Sequence, residues 1–195
     1  LKRAFDIFFS FWGIFFLFPW LIFIAILISA DSKGGVLYRQ VRIGKNKKDF
    51  NILKFRTMKP ESDKKGLLTV GSNDSRITKI GYFLRKYKLD ELPQLFNVFV
   101  GEMSFVGPRP EVEKYVDKYT PEQLKVLSVK PGITDYASIE YSNENDILAK
   151  SDNPEQTYID VIMPAKLQLN LKYIDDLGIK TDFKIIFKTI TKIVS

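Results

Sequence analysis

The sequence predicts an α+β protein attached to a membrane, on three observations. A run of 24 residues from Ile7 to Ala30 carries no charge and is dense in Phe, Ile, Leu and Trp. Two short β-prone segments, 36–38 and 50–55, flank a turn-rich stretch and read as a hairpin. Most of the remainder places apolar residues at helical spacing between Gly and Pro breaks, giving a small, mostly helical body. The division that follows is a membrane helix over residues 1–31 and a single body over residues 32–195, with no internal repeat.

The apolar run is long enough to cross a bilayer: as a straight helix it measures about 36 Å against a hydrocarbon core of about 30 Å. A signal peptide fits poorly, because the apolar stretch is too long and Asp31-Ser32-Lys33 leads straight into basic sequence instead of a small-residue cleavage site. Pro19 falls at its midpoint, where it removes a backbone hydrogen bond and bends a helix. Basic residues flank both ends: Lys2 and Arg3 before it, then Lys33, Arg39, Arg42, Lys45, Lys47 and Lys48 after it. Positive residues favour the cytoplasmic side, so a spanning helix would leave one cluster on the wrong side. A re-entrant helix bent at Pro19 satisfies both clusters; a spanning helix with a tolerated proline is the alternative.

In the body, Val36-Leu37-Tyr38 and Phe50 to Phe55 are the hairpin strands, with Gly44 to Lys48 as the turn between them. Residues 60–75 are polar and read as a loop. A helix follows over 77–87, with Ile77, Ile80, Phe83 and Leu84 on one face. Another opens at Asp90-Glu91-Leu92-Pro93 and runs to about Val100, Asp90 suiting the cap and Pro93 the first turn. Shorter helical stretches are expected over 121–129 and 155–176, the latter interrupted near Pro164. Thr181 to Ser195 is amphipathic, with Phe183, Ile186, Phe187, Ile190 and Ile193 opposite Lys184, Lys188 and Lys192. Such a helix lies in a membrane interface or packs on a core.

Composition narrows the chemistry. The 195 residues are 45% hydrophobic, enough for a core, and include neither Cys nor His. That excludes disulfide scaffolds, thiolate nucleophiles, Cys/His zinc sites and Ser-His-Asp triads. Catalysis would fall to carboxylates, Lys, Arg, Tyr or hydroxyls, with an oxygen-loving metal where one is needed. The net charge of +7 is uneven: residues 1–60 hold 11 Lys/Arg against three acids, and residues 61–195 hold 19 against 20. Nucleic acid and an anionic membrane surface both suit such a basic third. The uncharged run inside it points to the membrane and away from nucleic acid.

Asp90-Glu91 is the prominent chemical feature. Carboxylates at a helix start feel its positive end, which favours the ionised form. An ionised carboxylate there can act as a nucleophile or hold a hard cation. Arg85 lies upstream, Arg109 sits in the stiff turn Gly107-Pro108-Arg109-Pro110, and Arg56 in Lys54-Phe55-Arg56-Thr57-Met58 completes a cationic group suited to phosphates. The same residues also admit a structural reading, Asp90 as a cap and Arg109 as a partner of turn carbonyls. No Gly-x-x-x-x-Gly-Lys-Ser/Thr phosphate loop is present.

The order of these segments resembles a known family, the bacterial sugar transferases that begin glycan assembly on a lipid carrier, small monotopic polyprenol-phosphate phosphoglycosyl transferases. The matching stretches are Lys2-Arg3-x-x-Asp6, Tyr38-Arg39-Gln40-x-Arg42-x-Gly44-Lys45, Lys54 to Met58, and Arg76 to Lys86 with its Gly81 and Arg85. Leu89-Asp90-Glu91-Leu92-Pro93-Gln94-Leu95-x-Asn97, then Gly101-Glu102-Met103-Ser104-x-Val106-Gly107-Pro108-Arg109-Pro110, and Lys130 to Thr134 follow in order.

The resemblance implies a monotopic α+β protein with a re-entrant helix, a small cytoplasmic body and interfacial amphipathic helices, at the cytoplasmic face of the bacterial inner membrane. It implies transfer of a sugar-1-phosphate from a UDP-sugar to undecaprenyl phosphate with release of UMP. By position, Asp90 is the expected nucleophile, forming a covalent phosphosugar intermediate, and Glu91 the second acidic residue that arranges the site. Mg²⁺ is expected near Asp90, and Arg56, Arg85 and Arg109 are expected to bind phosphate. A non-catalytic membrane-surface adaptor is the competing expectation.

Two departures limit the likeness. Relatives often have Ser-Pro at the membrane bend, whereas Phe18 precedes Pro19 here. After Thr134, where many relatives read Gly-Trp-Ala-Gln-Val-Asn-Gly-Arg, this chain reads Asp135-Tyr136-Ala137-Ser138-Ile139-Glu140-Tyr141-Ser142, so contacts in that stretch are not inherited. A few residues are also expected to precede Leu1.

Overall fold

A computed structural model describes residues 1–62, 68, 70 and 74–194. The chain runs α1 (Lys2–Asp31), β1 (Leu37–Ile43), β2 (Asp49–Phe55), α2 (Lys79–Lys86), a 3₁₀ turn at Leu89–Glu91, α3 (Gln94–Val100) and β3 (Ser104–Val106). It continues through α4 (Glu113–Val116), a 3₁₀ segment at Gln123–Ser128, β4 (Gly132–Thr134), α5 (Tyr136–Glu140), α6 (Glu144–Ala149) and α7 (Pro154–Thr157). A π-helical turn at Tyr158–Ile162 then leads into α8 (Met163–Asp175), and α9 (Ile179–Val194) closes the chain. The hairpin forms as expected, antiparallel from Leu37 opposite Phe55 to Ile43 opposite Asp49. The loop expected over 60–75 falls largely outside the described residues.

α1 is a single 30-residue helical element with Pro19 inside it. One face lies on the body, because the residues that would be awkward in hydrocarbon recur there at helical spacing. Lys2 Nζ pairs with Asp182 at 2.6 Å and donates to the Val106 carbonyl and the Tyr173 hydroxyl. Arg3 donates to the Val98 and Phe99 carbonyls at the end of α3, which a helix leaves without internal partners. Asp6, almost fully buried, accepts from the Ser104 hydroxyl at 3.0 Å and the Phe105 amide at 3.2 Å. Farther along, Leu21, Ile24 and Ile28 pack with Phe55 and Leu84. At the far end the Asp31 carboxylate accepts from the Ile80 amide in the first turn of α2, where the helix dipole favours an anion. Both ends of the apolar helix are therefore fastened to the same body.

The opposite face of α1 exposes Phe8, Phe11, Phe15, Phe16, Trp20 and Phe23, among others. The other large exposed aromatics are Tyr82, Phe83 and Tyr87 on or next to α2, Phe96 and Phe99 on α3, and Phe183 and Phe187 on α9. Among the described residues, every such ring lies on these four helices or, for Tyr87, directly after one. Phe5 of α1 meets Phe183 edge-on at 5.3 Å between centroids, so the exposed faces of α1 and α9 adjoin.

The rest of the body packs on three small centres, one of them Val106, Tyr173 and Ile185, where β3, α8 and α9 meet. Tyr115, Val126, Leu148, Tyr158, Ile162 and Leu167 form one around α8. Phe50, Ile52, Val98 and Met103 form another, between the hairpin and α3. The parallel pairing of β3 with β4, Ser104 opposite Gly132 and Val106 opposite Thr134, was not expected, because its three-residue strands lie among Gly and Pro breaks. Backbones approach so closely there that a Cβ on Gly132 would collide with the Gly107 amide and carbonyl. Gly132→Ala is expected to cost about 1–3 kcal/mol through overpacking and to lower the thermal midpoint, measurable by differential scanning calorimetry.

Candidate active site

A cleft of about 760 Å³ gathers residues from β1, β2, α2, the Leu89–Glu91 turn, the Arg109 turn, α5, α8 and α9. Its volume lies in the range of small-molecule sites. Asp90, Glu91, Arg85, Arg109 and Arg56 all line it, so one wall system brings together every residue singled out in the sequence. What each does there differs from one to the next.

Asp90 does not cap a helix. Lys88 adopts a left-handed conformation (φ 56°, ψ 19°), which ends α2 and starts the 3₁₀ turn at Leu89. The helical path therefore begins at Leu89, two residues before the start that an Asp90 cap would set, Pro93 takes the position before α3, and neither boundary has a side-chain cap. Left-handed geometry in a lysine costs roughly 1–2 kcal/mol, and such strain collects at functional sites. Asp90 is only 7% exposed, and its Oδ1 is buried and accepts no hydrogen bond. Burial pushes its carboxyl above the ordinary range, and the positive charge of Lys54 opposes that rise.

Glu91 is the opposite case. Arg109 grips it with two donors, Nη1 to Oε2 at 3.2 Å and Nη2 to Oε1, and Lys54 Nζ donates to Oε1 at 3.1 Å. Burial alone would raise its carboxyl, but the charges of Arg109 and Lys54 and the Arg109 hydrogen bonds outweigh it and hold the group well below its usual value. Arg109 is raised in turn by Glu91. Lys54 is lowered, by burial first, with Glu91 opposing.

Lys54 is the main site residue that the sequence reading did not single out. A signal was available: in β2 the buried Phe50 and Ile52 alternate with exposed positions, and Lys54 continues the inward parity. A lysine on the inward face of a strand needs a partner, and Glu91 is that partner.

Arg85 donates through Nε to the Thr57 hydroxyl at 3.1 Å. Burial lowers its pKa, while Asp90 pulls it back up. Thr57 is seated by Gly81, whose missing side chain lets α2 come against the Thr57 carbonyl. Arg56 lines the cleft, but its guanidinium is occupied elsewhere: Nε donates to the Gly35 carbonyl at 2.5 Å, Nη1 to Lys33 at 2.7 Å and Nη2 to Ser32 at 2.8 Å. These bonds hold the exit of α1 against the cleft wall.

Asp135, in the divergent stretch, ties the Arg109 turn to α5. One carboxylate oxygen accepts from the Arg109 amide at 3.1 Å and the other from the Ser138 amide at 2.6 Å. The far wall has its own chain of contacts, Arg42 to Glu111 at 3.2 Å and Glu111 to the Tyr158 hydroxyl, with Lys166 paired to Glu144 at 2.8 Å.

Among the described residues no group of three or more acidic side chains forms a metal cage. Mg²⁺ does not require one, since it is commonly held by one or two carboxylates together with substrate phosphates. The unpartnered buried oxygen of Asp90 fits that mode, whereas both oxygens of Glu91 are occupied by cations.

Such an arrangement, a buried carboxylate with an unshared oxygen among fixed cations, suits chemistry on phosphate esters. Comparison with known proteins agrees. The family described as "Bacterial sugar transferase" matches residues 1–195, and the chain belongs to it. It is 38% identical over 197 residues to the exopolysaccharide production protein PSS of Rhizobium leguminosarum, covering 97% of this chain and 93% of that protein. It is 37% identical to the UDP-glucose:undecaprenyl-phosphate glucose-1-phosphate transferase of Escherichia coli, over 98% of this chain and 40% of that protein. A UDP-N-acetylgalactosamine-undecaprenyl-phosphate N-acetylgalactosaminephosphotransferase of Aeromonas hydrophila is 34% identical over all of this chain and 44% of its own length. The chain thus spans less than half of the last two relatives.

Removing the Glu91 charge strands Arg109 and Lys54 in the interior. Glu91→Gln is expected to cost about 3–5 kcal/mol at neutral pH, read by denaturant unfolding. Because the folded-state pKa of Glu91 is depressed, its stabilisation is complete above the unfolded value near 4.5 and is lost as pH falls through the lower folded value. Stability of Glu91→Gln should accordingly vary less than wild type across the acid range below 4.5.

Proposed function

We propose that the chain transfers a sugar-1-phosphate from a UDP-sugar to undecaprenyl phosphate, releasing UMP, at the cytoplasmic face of the bacterial inner membrane. The observation that carries this reading is Asp90, a buried carboxylate with an unpartnered oxygen set beside Lys54, Arg85 and Glu91 in one cleft. Family membership supplies the reaction class, and the names of the Escherichia coli and Aeromonas relatives supply donor and acceptor.

In this reading an Asp90 oxygen attacks the phosphorus that bears the sugar. The bond from that phosphorus to the UMP oxygen breaks, its electron pair leaving with UMP, and an acyl phosphosugar remains on Asp90. An oxygen of the lipid phosphate then attacks the same phosphorus, and the Asp90 carboxylate departs with the electrons of its P–O bond, giving the polyprenyl diphosphate sugar. No general base is required, since both nucleophiles are already anions, and two-step exchange gives ping-pong kinetics.

The difficulty is repulsion between anions. Arg85 and Lys54 reduce it from fixed positions, so little reorganisation is needed as charge shifts to the leaving oxygen. Arg109 acts on Asp90 through Glu91, which it pins, and retains donor capacity for a diphosphate. Mg²⁺ held through Asp90 and the substrate phosphates would supply further charge neutralisation. Arg56 acts at one remove, positioning the exit of α1.

Membrane attachment follows the aromatic faces of α1, α2, α3 and α9. A helix tied at Lys2 and at Asp31 to one body cannot leave its two ends on opposite sides of a bilayer, which supports a monotopic, re-entrant placement over a spanning one.

A panel of UDP-sugars with Mg²⁺ and undecaprenyl phosphate tests the activity through UMP release. Asp90→Asn should lower turnover by about three orders of magnitude or more and remove the phosphosugar adduct from intact-protein mass spectra. Normal turnover by that variant would dismiss Asp90 as the nucleophile. Without Mg²⁺, the Asp90 carboxyl should titrate above the ordinary carboxylate range by NMR, because burial raises it. Lys54 lowers Asp90, so Lys54→Met should raise that titration further; a downward move would contradict the assignment.

A further inference from the structure

α9 carries two adjacent stripes. Phe183, Phe187 and Ile190 face outward and are exposed. Thr189, Lys192 and Ile193 line the cleft that holds Asp90 and Glu91. Ile193 belongs to both, since it is 38% exposed and also lines the cleft. The apolar stripe therefore does not stop at the rim of the cleft but runs into it.

The helix is fixed in that place. Asp182 at its start is paired with Lys2 and accepts from the Tyr173 hydroxyl at 2.8 Å. The Thr189 hydroxyl contacts that of Thr134, at the end of β4, at 2.6 Å. α2 repeats the design on another part of the same cleft: Tyr82 and Phe83 are exposed outward, while Arg85 and Lys86 line the cleft.

A nucleotide sugar is water-soluble and anionic, and an apolar stripe leading to a carboxylate contributes nothing to its capture. An amphiphile whose long hydrocarbon chain ends in a phosphate matches it along the whole length. Apolar contact would run along α9, and the cations of Lys192, Lys86 and Arg85 would meet the head. From this continuity and charge complementarity we infer that the cleft has a lipid portal at the C-terminal end of α9, with Ile193 guiding the prenyl chain of the acceptor so that its phosphate reaches Asp90. The inference rests on the transferase reading above and names its acceptor route.

The two half-reactions separate this idea from that reading. With the full-length protein in detergent and a UDP-sugar but no acceptor, wild type should release a burst of UMP; no burst with any UDP-sugar would overturn the transferase reading and the portal with it. Ile193→Asp, and the milder Ile193→Ser as a check on folding, should keep the burst amplitude. Their turnover with undecaprenyl phosphate should fall, by about tenfold or more for the aspartate, through a raised acceptor KM. The loss should be smaller with a two-isoprene prenyl phosphate, which has little chain to guide. Unchanged acceptor kinetics in both variants would overturn the portal. So would loss of the burst together with turnover, or a fall in turnover that merely tracks reduced co-sedimentation with anionic vesicles, since α9 would then serve the fold or the membrane and not the acceptor.

Discussion

Two carboxylates adjacent in sequence and buried in one cleft repel each other, and both are penalised for leaving water. Here the conflict is resolved asymmetrically. Glu91 is clamped by Arg109 from the turn after β3 and by Lys54 from β2, and its charge is neutralised by contacts that also fasten three distant segments together. Asp90 receives no comparable clamp. Its Oδ1 keeps an open lone pair while Lys54 and Arg85 influence it from farther away. The ion pairs at Glu91 are therefore better understood as devices that set position and charge than as sources of net stability, since desolvation consumes much of what buried pairs gain.

The supports of that clamp reach well beyond it. Arg109 is held by the Asp135 carboxylate, and its turn follows a β3–β4 pairing that only glycine at 107 and 132 allows to close. The same β3 edge accepts the first turn of α1, through Asp6 to Ser104 and Phe105 and through Lys2 to Val106. α1 and the Glu91 clamp thus share one short piece of backbone. The other end of α1 is bound by Arg56, just after the strand that carries Lys54. Under the proposed membrane placement, seating α1 and assembling the site are therefore coupled through these contacts.

Periodicity made the long elements legible. The apolar run of α1, the hairpin, the α2 face and the amphipathic α9 all carry patterns that their burial requires. The short elements were not legible, because three-residue strands and a single 3₁₀ turn are too brief to show a period, and tertiary contacts decide them. Asp90 illustrates the limit. Its sequence context reads as a cap, yet the left-handed Lys88 moves the helix start and releases the side chain. The motif order identified Asp90, Glu91, Arg85 and Arg109 as one group. It could not reveal that Arg56 is engaged by the carbonyls of residues 32, 33 and 35, because that depends on where α1 ends relative to β2. Lys54 was within reach through strand parity, a signal that counts only once the hairpin's inner face is known.

The proposed carboxylate nucleophile has a reason that the composition already hints at. A hydroxyl attacking phosphorus would need a base to take its proton, and this sequence has no His to serve as one. Asp90 has no proton to lose once ionised, so the demand on the site shifts from acid–base relay to charge compensation. Fixed cations satisfy that demand without any moving part. The raised pKa of Asp90 fits the same logic, because burial that makes the anion less comfortable also makes it a stronger nucleophile, provided the working pH remains above its pKa. What the site cannot do is discriminate among anions by charge alone. Selection of donor and acceptor must then come from shape and apolar contact in the outer parts of the cleft, which are built from α5, α8 and α9 and not from the clamp itself.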